Sequence, residues 1–169
     1  MCQLISGVAV LSGDAVKVFT LPGSDSHLAI RAAHNIRDDD GVGTRQTPVE
    51  YSPGSTLTEF DDWVFRFDDL RPAWWTDAMT DDAQRQLIRA FRARFEKNGH
   101  YGGSLDLQDT GITALPDGLT VGGSLDLQGC TGITALPDGL TVGGSLDLWG
   151  CTGITEIPQS AQISDDIYR

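Results

Sequence analysis

The sequence predicts a small α+β domain over residues 1–100, followed by a short β-solenoid over residues 101–169. Three observations point there. The block GGSLDLQGCTGITALPDGLTV at 122–142 begins in slightly shortened form at Gly102 and returns at Gly143, which marks a repeat array. The segment WVFRFD alternates apolar and polar positions as a half-buried strand does. Residues 80–98 carry Leu87, Ile88, Phe91 and Phe95 at helical spacing.

In ISGVAVLSGDAVKVFTLPG, Ile5, Val8 and Val10 belong to one strand and Val16 and Val18 to a second, with SGDA as the turn. After Pro22-Gly23, Ser24 or Ser26 is placed to cap a short helix through about Arg37. DDDGVGTRQ is a loop, and it matches neither a phosphate-binding loop nor a calcium loop. PVEYSP is extended and is expected at a sheet edge, because proline has no N–H for a ladder. In WVFRFD, Trp63, Phe65 and Phe67 share one face, and Val64 and Arg66 the other.

Trp74-Trp75 is read as a plug between the long helix and the sheet. Thr76 or Thr80 caps that helix, acids follow in its first turn, and Asn98-Gly99 ends it. Arg85, Arg89 and Arg92 form a second stripe, read as pairing with the protein's own acids, such as Asp81 and Asp82. The helix is expected to cap the first solenoid coil, whose leucines would otherwise face water, so that both parts fold as one.

The array holds three repeats of 20–21 residues and a truncated fourth. The residue missing from the first copy is placed at Asp109, where later copies have Gly-Cys. Leu125 and Leu127 face inward from one short strand, and Ile133, Leu136, Leu140 and Val142 supply the rest of the core. Ile163 aligns with Val142 and Ile167 with Leu146, and the charged end SDDIYR, with Asp165 and Asp166, opposes edge-to-edge stacking.

L-x-L-x-x-C-x-x-I resembles the leucine-rich repeat at its strand, and T-x-L-P-x-G-L is similar to the short repeats of bacterial secreted effectors. The resemblance covers residues 102–163 and implies a leucine-rich-repeat-like β-solenoid. It departs from that family at Gly122-Gly123, where a leucine is usual before the strand. Separately, VFRFDDLRPAWWTDAMT resembles stretches of uncharacterised phage and mobile-element proteins with repetitive tails. That likeness implies a phage origin and, through it, an anti-defence role.

The formal charge of −12 is uneven: residues 1–100 carry −4 and residues 101–169 carry −8. Such a field repels nucleic acid and anionic lipid and attracts basic proteins. No run of eighteen apolar residues marks a membrane span. Three cysteines make no disulfide framework, and a reducing, cytoplasmic setting is expected, in the host cell if the chain is phage-encoded.

Asp106, Asp126 and Asp147 sit between the paired leucines and must form an outward column at about the 4.8 Å strand spacing, where each raises the others' pKa. The column is read as a docking stripe or a solvated face. Trp149 stands where earlier copies have Gln108 and Gln128, as a binding anchor or as a cover for the open end. Cys130 and Cys151 share one repeat position and are read as a buried, reduced ladder.

Cys2 follows Met1, and with His27 or His34 as base it would make an amino-terminal nucleophile, though nothing local supports that reading. The two histidines are otherwise read as structural, and His100 sits at the helix-to-repeat junction. No catalytic residue, metal site or cofactor is expected. The sequence thus points to a non-catalytic module that binds a basic protein surface, such as a host nucleic-acid-binding defence protein inhibited in the manner of an anti-CRISPR. An enzyme in residues 1–100 targeted by the solenoid, and a structural assembly protein, are the alternatives.

Overall fold

A computed structural model describes residues 5–21, 26–37, 45–96 and 99–169. Cys2, Ser24, Asn98 and the acidic loop at 38–43 lie outside these. The chain forms two compact units: Met1–Ser52 with Phe65–Arg92, and Pro53–Val64 with Ala93–Arg169. Among the described residues, no helix is long and apolar enough to cross a membrane.

The first unit is an antiparallel sheet between two helices. β1 (Ile5–Ser12) and β2 (Ala15–Phe19) form a hairpin through Gly13-Asp14, where Gly13 takes a φ of 63°. α1 (His27–His34) follows, capped by Ser26, whose Oγ accepts the Ala29 N–H at 3.3 Å. It ends before Arg37, because Asn35 turns left-handed at φ 54° and its N–H closes the last turn. β3 (Gln46–Ser52), β4 (Val64–Phe67) and α2 (Asp77–Arg94) complete the elements of this region.

The strand order is β2-β1-β3-β4, so β3 is an interior strand rather than the expected edge. Pro48 is tolerated there for a local reason. N and C=O of one extended residue point to the same side, and the Pro48 carbonyl accepts the Asp68 N–H at 3.4 Å. Its nitrogen therefore points to the β4 side, just past the end of that short strand, and the pairing of Pro48 with Val8 of β1 loses nothing.

The helices take opposite faces. Leu87 Cδ2 lies 3.1 Å from where a Cβ on Gly7 would stand, so α2 covers the face of Ile5, Gly7 and Ala9. Met79, Ala83, Leu87 and Phe91 are its buried row. Arg31 Nε donates to Gln46 Oε1 at 3.2 Å, which puts α1 on the face shared by Ser6, Glu50 and Gln46. Gln86 of α2 acts as a surrogate strand at the outer edge of β2: its Oε1 accepts the Val18 N–H at 2.9 Å and its Nε2 donates to the Val16 carbonyl at 2.8 Å. Of the arginine stripe, Arg85 meets Asp82 at 3.5 Å, one turn away.

The helix stops at Arg94, short of the expected Asn98, and Phe95 leaves the helical stripe for a strand. β5 (Phe95–Glu96) pairs antiparallel with β6 (His100–Tyr101), and Gly99, just before β6, has φ 73°.

The second unit is a β-solenoid of roughly three turns. β7 (Leu105–Asp106), β9 (Leu125–Asp126), β11 (Leu146–Asp147) and β13 (Ile167–Tyr168) stack as one parallel sheet. β8 (Thr120–Val121), β10 (Thr141–Val142) and β12 (Gln162–Ile163) stack on β6 as the other. The alignments of Ile163 with Val142 and of Ile167 with Leu146 are both backbone pairs. Leu125, Leu127, Ile133, Leu136, Leu140 and Val142 are buried as the period requires.

The missing residue of the first copy falls elsewhere than expected. Asp109 has φ 56°, and Gly129 and Gly150 have φ 72° and 79°, so these three are equivalent. Thr110, Cys130 and Cys151 then match, because each N–H returns to the carbonyl of the inward leucine three residues earlier. The first copy therefore lacks the residue that follows, Thr131 in the second coil and Thr152 in the third.

Residues 53–64 also belong to this unit, which sequence reading did not foresee. The Ser55 carbonyl accepts from Thr113 N and Oγ1 at 2.9 and 3.2 Å, next to the shortened corner of the first coil. The segment is closed by Asp62, whose Oδ2 accepts from Ser55 N and Oγ at 2.7 and 2.6 Å, and these bonds hold its carboxyl below the usual carboxylate range. Within the segment, Leu57 and Trp63 are buried.

Candidate functional site

The acidic column forms as the repeat period requires. Asp106 pairs with Asp126, and Asp126 with Asp147, in parallel register. The flanking leucines are buried and the aspartates half-buried. Each aspartate also has a structural task. Its Oδ1 accepts the N–H two residues on, from Gln108 at 3.0 Å, Gln128 at 2.9 Å and Trp149 at 2.9 Å. This Asx turn bends the chain out of the strand and leaves Oδ2 for a partner.

Beside the column, Gln108 Nε2 donates to Gln128 Oε1 at 3.2 Å, an amide ladder that runs from coil to coil. Trp149 continues that ladder, since the Asp109 N–H meets the Gln128 carbonyl and the Gly129 N–H meets the Trp149 carbonyl, each at 2.8 Å. Trp149 is 62% exposed. Tyr168, a residue the sequence reading passed over, pairs directly with Asp147 and is 49% exposed. The signal was present, because aligning Ile167 with Leu146 puts Tyr168 in the aspartate column.

The central carboxyl, Asp126, is pushed above the usual carboxylate range, first by burial and then by the charges of Asp106, Asp147 and Asp109, against the pull of the Gln128 N–H. Ionised Asp126 therefore costs the folded state stability. The cost is absent below the unfolded value near 3.8 and grows as pH rises through the raised folded value. Asp126→Asn keeps the acceptor for Gln128 and removes the charge. We expect it to raise the melting temperature at pH 7 by up to about 3 °C, the worth of less than about 1 kcal/mol at a screened, partly exposed site. The gain should vanish near pH 3, as thermal melts at both pH values will show.

Cys130 and Cys151 are buried free thiols whose pKa is pushed up by burial. Each Sγ donates to the preceding coil, to the Leu107 carbonyl at 2.9 Å and the Leu127 carbonyl at 2.8 Å. Thr110 Oγ1, at the same position of the first coil, donates within its own coil instead, to Leu107 O at 2.7 Å. The cysteines are rungs of the core.

In the first unit, His27 and His34 do not converge. His34 Nε2 lies 3.0 Å from the Thr20 carbonyl, with its ring against Phe19. His27 Nδ1 lies 2.7 Å from Asp68 Oδ2, and Glu50 stands with them. Three residues so far apart in the chain left no local signal. Trp75 is buried against Phe65 and Phe67, with centroids at 5.9 and 5.0 Å, while Trp74 is half-buried. Comparison with protein-family models, curated proteins and solved structures finds no match to this chain.

Proposed function

We propose that the solenoid is a non-catalytic protein-binding module, with Asp106, Asp126, Asp147, Gln108 and Gln128 as a polar docking face and Trp149 as its apolar anchor. The observation that carries this reading is the register: three carboxylates stand in line, and the column ends against two exposed aromatic rings, Trp149 and Tyr168. Rings beside fixed charges supply area at low entropy cost, and the charges select a basic partner and steer its approach. The charge of −8 over residues 101–169 favours a basic protein surface over nucleic acid or an anionic membrane. Inhibition of a host defence protein, by occupying its nucleic-acid-binding groove, is the concrete form of this reading. It rests on acidic mimicry and on the phage-like segment at 64–80.

The test is affinity capture at low and high salt, with Asp106, Asp126 and Asp147 all changed to Asn and, separately, with Trp149→Ala. The Asn variant keeps all three turn-closing acceptors, so it reads charge rather than folding. We expect a basic partner whose binding falls with salt, is largely lost in the triple variant, and weakens by about 30-fold in Trp149→Ala, as an aromatic hot spot would. A partner held equally by both variants would overturn the proposal and make the array a scaffold.

A further inference from the structure

We infer that His27, Glu50 and Asp68 form a binding site for one divalent transition-metal ion, with zinc as the best match. Their ligand atoms all lie within 4.8 Å of one another. Donors about 2 Å from a tetrahedral ion stand about 3.3 Å apart, so modest side-chain adjustments would close them on one centre. His27 opens α1, Glu50 lies in β3, and Asp68 directly follows β4 with its N–H on the Pro48 carbonyl. Sheet and helix therefore fix the positions of all three from separate elements.

The donor set selects the ion. Two carboxylates neutralise a divalent charge, and an imidazole nitrogen favours a transition metal over magnesium or calcium. Calcium would also want six or more oxygens. The His27 side chain is 10% exposed and Glu50 is 7% exposed, whereas the Asp68 side chain is 35% exposed and provides the opening to solvent.

A second observation is independent of the cluster. Ser6 Oγ is buried with no hydrogen-bond partner among the described residues. Ser6 is 2% exposed and is the cross-strand partner of Glu50, so both side chains leave the sheet on the α1 face. A His27–Asp68 pair that merely props α1 on the sheet would explain the 2.7 Å contact. It would leave the Ser6 hydroxyl buried without a partner. An ion held by His27 Nδ1 and the two carboxylates, with the Ser6 hydroxyl or a water bonded to it in the open position, gives Ser6 Oγ that partner.

The experiment takes the full chain, stripped with chelator, and titrates zinc by calorimetry, with metal content and thermal melts read in parallel. Glu50→Gln and Asp68→Asn remove ligands with little change of shape. The Asp106/Asp126/Asp147→Asn triple variant controls for loose binding to the acidic column. We expect one equivalent per chain, a higher melting temperature when loaded, at least tenfold weaker binding in each ligand variant, and no change in the triple variant. Cobalt(II) should give a spectrum without a thiolate charge-transfer band, which sets the site apart from Cys130 and Cys151. No saturable binding by folded wild type, binding lost only in the triple variant, or a thiolate band would each overturn the site. Should a ligand variant fail to fold, equal melting temperatures for stripped and zinc-supplied wild type would overturn it as well.

Discussion

Gly143→Ala lowers the melting temperature by roughly 6–12 °C, the equivalent of about 3 kcal/mol in a chain of this length. A Cβ at Gly143 would stand 2.3 Å from the carbonyl oxygen of Gly122 and 2.9 Å from its carbon. Both are backbone atoms of the coil before, held by the Gly143 N–H bond to Val121 O at 2.8 Å, so neither can rotate away. The array supplies its own controls. At Gly122 the nearest atoms are 3.2 Å away, and at Gly102, in the first coil, nothing lies within 4 Å. Gly122→Ala should cost about 1 kcal/mol and Gly102→Ala no more than about 0.5 kcal/mol. Thermal melts of the three variants rank them directly. If Gly143→Ala matched Gly102→Ala, the coils would have to be spaced more widely than the backbone pairing of β8, β10 and β12 requires.

The same contact explains the departure from the leucine-rich pattern at Gly122-Gly123: coils this close leave no room for a side chain at that corner. The solenoid was legible because repetition converts a local pattern into a three-dimensional one. Once Leu125 and Leu127 face inward, Asp126 must face outward, and the copy number sets the column length. What was not legible depends on partners distant in sequence. Nothing near Pro48 says that the strand beside it is too short to need its N–H. Phe95 fits the helical stripe, yet it pairs with Tyr101 in a strand, a partner that no local pattern announces. Nothing in residues 54–62 announces a place beside the repeats, yet Ser55 bonds Thr113, 58 positions on. Likewise His27, Glu50 and Asp68 carry no spacing motif, since a sheet rather than a helix turn brings them together.

Trp75→Ala should be the most damaging single change in the first unit, with a loss of about 4 kcal/mol, while its neighbour Trp74→Ala costs about 1 kcal/mol or less. The dipeptide alone cannot separate the two. The fold does, since Trp75 is 4% exposed, stacks at 30° on Phe65, meets Phe67 edge-on, and donates from Nε1 to Thr80 Oγ1 at 2.8 Å. Truncation would open a ring-sized cavity and strip Thr80 of its donor in the first turn of α2. Trp75→Phe should recover part of the loss, because it restores an aromatic ring but forfeits the hydrogen bond, worth about 1 kcal/mol, and part of the indole's volume. Urea titrations of the three variants read these values, and equal losses for Trp74→Ala and Trp75→Ala would refute the assignment. The same curves bear on cooperativity. The chain passes between its two units three times, after Ser52, Val64 and Arg92. A single transition displaced as a whole by Trp75→Ala would mean that those crossings couple the solenoid to the sheet. Two transitions, with only one displaced, would mean that the solenoid stands on its own core.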